Sequence, residues 1–197
     1  MSAGRSVLRA IMGAGTATAG VAGYFAAATG RVTLDLDIGR RRQALGPLDV
    51  IVDAPREVVH ALIAEPYLLR TTRAMSEKLR VVERDENLVV AEHRTQIRSW
   101  LVATTVEAVR FTPPARVDFR LLRGPVPAVV ESFQLEVMPD GRTQLHYEGT
   151  LETDLWRVGA TWGRLVARHW TSAVSESMDS IRTEAERRRA RHARTVG

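Results

Sequence analysis

The sequence predicts an α+β domain: one seven-stranded antiparallel sheet wrapped around a long C-terminal helix, with two short helices after the first strand. Three observations predict it. From Asp154 to about Ala190, apolar residues recur at helical spacing without a proline. Six strand-like segments between Lys78 and Thr153 are joined by turns too short for parallel crossovers. A first strand around Leu48–Asp53 runs directly into a helix start.

In the closing helix, Leu155, Val158, Trp162, Leu165, Val166, His169, Trp170, Ala173, Val174, Met178 and Ile181 share one side. Thr153 and Asp154 can cap its first amides. Gly159 and Gly163 narrow its apolar face, so the helix should lie close across something wide and apolar. After about Ile181 the stripe fades into a basic end, EAERRRARHARTVG.

Earlier in the chain, Leu48, Val50 and Val52 alternate with Asp49, Ile51 and Asp53, as in a half-buried strand. Asp53 then caps a helix over 56–64 that buries Val58, Val59, Leu62 and Ile63, with proline in its first turn. Pro66 should stop it, and a second short helix is expected over Tyr67–Met75. The strands follow as Lys78–Arg84, Leu88–Ile97, Trp100–Arg110, Arg116–Arg123, Val129–Met138 and Thr143–Thr153. Asp85-Glu86-Asn87, Pro113-Pro114 and Pro139-Asp140-Gly141 supply turn chemistry between them.

The 197 residues divide into an N-terminal apolar stretch (1–30), a basic linker (31–44), a domain (45–182) and a basic tail (183–197). No cysteine is present, which excludes disulfides, thiol nucleophiles and thiolate metal sites. Six Arg against two Asp over 1–42, and six Arg against two Glu over 182–194, put +4 on each end of a chain whose formal charge is +5, leaving 43–181 at −3. The basic character therefore belongs to the ends, and the tail carries no interleaved aromatic residue, so nucleic acid is not an expected partner. A solvated helix end or an anionic membrane surface accounts for the tail arginines.

Residues 11–30 are uncharged and flanked by Arg5, Arg9 and Arg31. The first reading is a membrane anchor, long enough to cross a bilayer, with Gly15, Ala19 and Gly23 four apart on one helix face. A cleaved signal peptide ending at Ala26–Ala28 and an Ala/Gly-rich arm are the other readings. Membrane-anchored localisation, with secretion or a cytoplasmic protein as alternatives, is the resulting expectation.

The element order, together with DAPREVV from Asp53, resembles the START-like superfamily of helix-grip proteins, which includes Bet v 1-type and polyketide cyclase/dehydrase-like (SRPBCC) members. FRLLRGPVP from Phe119, with Trp156 and the Trp/Gly-rich helix after it, is similar to an actinobacterial polyketide-cyclase-like group. The resemblance covers about 45–182. It implies a cavity between sheet and helix, but no invariant catalytic residue.

Alternation assigns the lining of such a cavity. Val89, Ala91, His93, Thr95 and Ile97 share one phase. Trp100, Val102, Thr104 and Val106 share another, as do Val117, Phe119 and Leu121. Val129, Glu131, Phe133, Leu135 and Val137 share a phase, and so do Leu145, Tyr147, Gly149 and Leu151. The candidate ligand-binding residues are Trp100, Phe119, Phe133, Tyr147, Trp162, Leu165, Val166 and Trp170, an apolar surface with few polar groups, as small-molecule pockets are. Glu131 with His93 or His169 is the combination able to do acid/base work, because burial raises a carboxyl's pKa and histidine titrates near neutrality. No histidine pair has metal-ligand spacing, and no glycine-rich loop precedes a helix, so no metal or other cofactor is expected.

The leading functional expectation is therefore a binding protein for a hydrophobic small molecule such as a lipid, isoprenoid or polyketide-like compound. A cyclase or dehydratase using Glu131 and a histidine is the alternative, and a partner-binding module with a closed cavity is the third.

Overall fold

A computed structural model describes residues 23, 25–68, 77–98 and 101–196. Strand β1 (Arg41–Val52) leads to helix α1 (Arg56–Leu68). Strands β2 (Leu79–Arg84), β3 (Leu88–Arg98), β4 (Leu101–Thr112), β5 (Arg116–Arg123), β6 (Ala128–Val137) and β7 (Thr143–Thr153) follow, and helix α2 (Trp156–Val196) closes the chain. The sheet order is β1-β7-β6-β5-β4-β3-β2, antiparallel throughout. The connection containing α1 thus carries the chain from one edge of the sheet to the other. α1 packs on β5, β6 and α2, while α2 packs on β1 and β7. The helix-grip α+β fold expected from the sequence is present.

The β1–β7 register shifts between Leu45 and Leu48, where Gly46 adopts a φ of 87° and a Cβ would stand 2.9 Å from the Tyr147 carbonyl oxygen. Only glycine fits that bulge.

Pro66 does not stop α1, which continues to Leu68. A proline in the last turn forfeits only the bond to the carbonyl four residues earlier, and Arg84 donates to the Tyr67 and Leu68 carbonyls that the helix end leaves unpaired. Tyr67 therefore ends the first helix, with its ring buried in the core. Most of the expected second helix, 69–76, lies outside the described residues.

The buried stripe of α2 is turned relative to the expected one. Gly159, Gly163, Val166, Ala167, Met178 and Ala185 are buried, with Trp162, Trp170, Val174 and Ile181 partly so, whereas Leu155 (40 % exposed), Val158 (73 %) and His169 face outward. Leu155 and Trp156 have left-handed backbone, φ 66° and 50°, so Leu155 lies outside the helical phase. The glycines form the contact row itself: a Cβ on Gly163 would meet Thr153 at 3.1 Å. Nor does Asp154 cap α2. Its Oδ2 accepts from the amides of Leu36 (2.6 Å) and Asp37 (3.2 Å), and its Oδ1 lies 2.7 Å from Arg40 Nε. Residues 33–40 are fastened to the domain by this contact, by Arg40 on Glu152 (3.0 Å) and by Thr33, which exchanges hydrogen bonds with the Gly124 backbone (2.8 and 2.9 Å).

The membrane-anchor expectation for 11–30 is corrected. Residues 11–22 and Tyr24 lie outside the described residues. Over 25–28 the chain is a short helical turn that ends at Thr29 and Gly30 (φ 68°), with Ala28 buried against protein. No helix among the described residues is long and apolar enough to cross a membrane. Small Ala, Gly and Thr side chains lack the apolar area that insertion requires, and Ala28 spends its area on the domain.

Strand β4 is the other correction. Its buried residues are Ala103, Thr105, Glu107, Val109 and Phe111, while Val102 is 45 % exposed: the opposite phase from that expected. The side chains of Ile97, Arg98, Trp100 and Leu101 lie outside the described set.

Candidate functional site

The concave face of the sheet carries a chain of rings. Tyr67 stands 5.7 Å from both Phe111 and His93 and 6.1 Å from Phe119. Phe119 meets Phe133 at 5.8 Å, and Phe133 meets Tyr147 at 5.2 Å. Their edge-to-face and tilted contacts suit aromatic quadrupoles. Val129, Leu135, Leu145 and Leu151 fill the rest of this face, and Val166 closes it from α2.

Within this apolar layer lies a polar cluster assembled from six elements. Glu131 on β6 is 7 % exposed, and its Oε2 accepts from Tyr147 Oη on β7 (2.6 Å) and from Trp170 Nε1 on α2 (2.7 Å). On β4, Glu107 Oε1 accepts from Thr105 Oγ1 (2.6 Å), while Oε2 lies 3.2 Å from Nδ1 of His93 on β3. That approach is an ion-pair contact, not a well-aligned hydrogen bond. His93 Nε2 is 2.9 Å from Tyr67 Oη at the end of α1. Antiparallel register explains the assembly: Glu131 stands opposite both Phe119 and Gly149, and His93 stands opposite Thr105. Gly149 leaves room there, since a Cβ on it would fall 2.7 Å from Glu131 Cβ.

The two carboxyls have opposite electrostatics. Burial pushes Glu131 up to about 7, and the nearby Glu107 charge pushes the same way, against the hydrogen bonds from Tyr147 and Trp170. Glu107 is also penalised by burial, but the His93 charge outweighs that and holds it below the usual carboxylate range. Burial opposes the His93 imidazolium, yet Glu107 raises it above the ordinary value. The cluster is therefore an ionised His93–Glu107 pair beside a carboxyl that exchanges its proton near neutrality, an arrangement typical of functional sites.

Of the residues singled out from the sequence, Glu131, Tyr147 and Trp170 come together directly, and His93, paired with Glu107, lies near enough for the charges of the pair to act on Glu131. His169 does not, because it is one residue, about a quarter-turn, from Trp170 and faces outward. Phe119 and Phe133 belong to the ring chain. Trp162 is half-buried and donates to the Pro125 carbonyl (2.8 Å), Leu165 is half-buried beside Val166, and Trp100 is outside the described residues. Glu107, Thr105 and Tyr67 were missed. A signal for Glu107 existed: Val117 and Phe119 face inward, so their cross-strand partners Phe111 and Val109 must as well, and Glu107 shares that phase.

No family model and no curated protein matches this sequence. Solved structures do share its fold. The Zhui aromatase/cyclase from Streptomyces sp. R1128 superposes with a TM-score of 0.58 at 17% identity, over 76% of this chain and 95% of that one. The protein TTHA0849 from Thermus thermophilus gives 0.55 at 16% identity, over 74% and 96%. A START superfamily protein from Mycobacterium smegmatis gives 0.52 at 12%, over 75% and 97%. The chain thus has the START-like, polyketide-cyclase-like helix-grip fold. At these identities the likeness describes the fold alone.

Proposed function

We propose that this domain binds a hydrophobic small molecule on the concave face of the sheet beneath α2, with Glu131 as its polar contact. The observation that carries the reading is the cluster Glu131, Tyr147, Trp170, Glu107, His93 and Tyr67. Packing alone does not require two carboxyls and an imidazolium in an apolar core, where each costs desolvation energy. The aromatic and aliphatic side chains around it supply the apolar contact, on the order of 25 cal/mol for each Å² of ligand removed from water. The fold is shared with an aromatase/cyclase and a START superfamily protein, which is in keeping with a ligand in this position.

The test is native mass spectrometry with solvent extraction of the full-length chain purified gently from its own host. A near-stoichiometric apolar compound, lost on Glu131→Ala in a variant that retains its circular dichroism, supports the reading. An empty, folded protein that also takes up no apolar probe refutes it.

A second reading has its own support in the proton that Glu131 exchanges near pH 7. Glu131 would remove a proton alpha to a ketone, the resulting enolate carbon would attack a second carbonyl carbon, and the same carboxyl would return its proton to the new alkoxide. Loss of that hydroxyl with an adjacent hydrogen releases water. Glu131→Gln separates the readings, since it abolishes turnover while a carrier keeps most of its affinity.

A further inference from the structure

The class of ligand follows from the one carboxyl oxygen the cluster leaves for it, a step that rests on the binding role proposed above. Glu131 Oε2 is occupied by Tyr147 and Trp170. Both oxygens of Glu107 are engaged, one by Thr105 and one by His93, and the second nitrogen of His93 meets Tyr67. Glu131 Oε1 has no hydrogen-bond partner among the described residues. We propose that the ligand is an uncharged apolar molecule bearing a hydroxyl group, and that this hydroxyl donates to Glu131 Oε1.

Each part has its reason. An ionised carboxyl oxygen can only accept, so the ligand must bring a donor. The hydroxyl also accepts, so it still bonds when Oε1 carries the proton, as it must in the acid form because Oε2 receives two donors. A ligand carboxylate is disfavoured because the cluster holds two carboxyls, and its one cation, His93, is already paired with Glu107. An ammonium ligand is disfavoured because its three donors would find one free acceptor, Glu131 Oε1, in an apolar surround. The body of the ligand is apolar because Phe119 stands opposite Glu131 and Phe133 packs on Tyr147, beside the cluster.

The experiment is isothermal titration of the full-length chain at about pH 8.5, where Glu131 is mostly ionised. The probes are naphthalene, 2-naphthol, 2-methoxynaphthalene and 2-naphthoate. The wild-type protein should bind 2-naphthol at least about tenfold more tightly than its methyl ether and show no binding of the naphthoate. In Glu131→Gln the amide oxygen must take the Oε2 place, since Tyr147 and Trp170 both donate there, which turns the NH₂ toward the ligand. The preference should then collapse to within about threefold, and the naphthoate should gain affinity. A structural role for Glu131 would shift all four probes together.

Equal binding of the naphthol and its ether by wild type, or a preference that survives Glu131→Gln, overturns the hydroxyl assignment while leaving ligand binding in place. Failure of all four probes, naphthalene included, overturns the binding reading and this inference with it.

Discussion

Replacing Glu131 by Gln should leave the protein's stability nearly unchanged in mild acid and raise it in base. Gln mimics the protonated carboxyl: its oxygen accepts the same bonds from Tyr147 and Trp170, and its NH₂ replaces the acid O–H. The wild-type carboxyl gives up its proton at about 7 in the folded state against an ordinary 4.5. The folded state therefore holds a proton that the unfolded chain has already lost. A group raised in this way contributes stability that is fully present below 4.5 and is lost as pH rises through 7. At about 1.4 kcal/mol per pH unit, the loss approaches roughly 3 kcal/mol. Urea unfolding followed by circular dichroism across this range measures it, with Glu131→Gln as the reference that cancels the titrating groups outside the cluster. The variant should match wild type near pH 4.5 and exceed it by about 3 kcal/mol near pH 8.5. A difference that does not change with pH, or a variant that loses ground as pH rises, would refute the account of a neutral buried Glu131.

Three further outcomes are expected. Glu107→Ala should cost about 1–3 kcal/mol near neutrality because it leaves Thr105 and His93 without their buried partner, and the double variant with His93→Gln should cost less than the two single effects combined; denaturant titration of the four proteins checks this. Asp154→Ala should release residues 33–40, so that trypsin cuts after Arg31 and Arg40 several-fold sooner in limited proteolysis while the sheet stays intact. Gly39→Ala should cost about 1–3 kcal/mol, since the residue has a φ of 63° and a Cβ would run into the Trp156 ring. The same change should shift Trp156 fluorescence, and an unperturbed spectrum would refute the contact.

The fold was legible where one face of an element is uniformly apolar. On β5, β6 and β7 the inward phase is apolar apart from isolated polar members, so alternation alone gave the faces, Glu131 and Tyr147 included, except at the end of β6, where Val137 is exposed. It failed on β4, where the inward phase holds Thr105 and Glu107 and the outward phase holds Val102 and Val106. Burial of the cluster itself reversed the usual reading there. Alternation measures average polarity, and a buried polar cluster lowers the apolarity of the face it occupies. Helix α2 failed more mildly: Leu155 was counted inward because periodicity cannot detect the left-handed residues at its start, and Val158 because it sits one residue from Gly159, at the edge of the buried stripe. The membrane expectation for 11–30 rested on the absence of charge, and charge says nothing of Ala28 finding protein to pack against.

The sequence by itself determined the order of elements, the antiparallel meander and the closing helix, because turn residues and hydrophobic period are local properties that each segment carries unaided. Only the tertiary structure decided that Arg84 would cap the end of α1 beyond Pro66, that Asp154 would hold the N-terminal segment instead of capping its own helix, and that His93 would pair with Glu107. The reason is common to all three. Each is settled by a partner distant in the chain, and the energy of a buried charge depends on which partner the packing brings within a few ångströms.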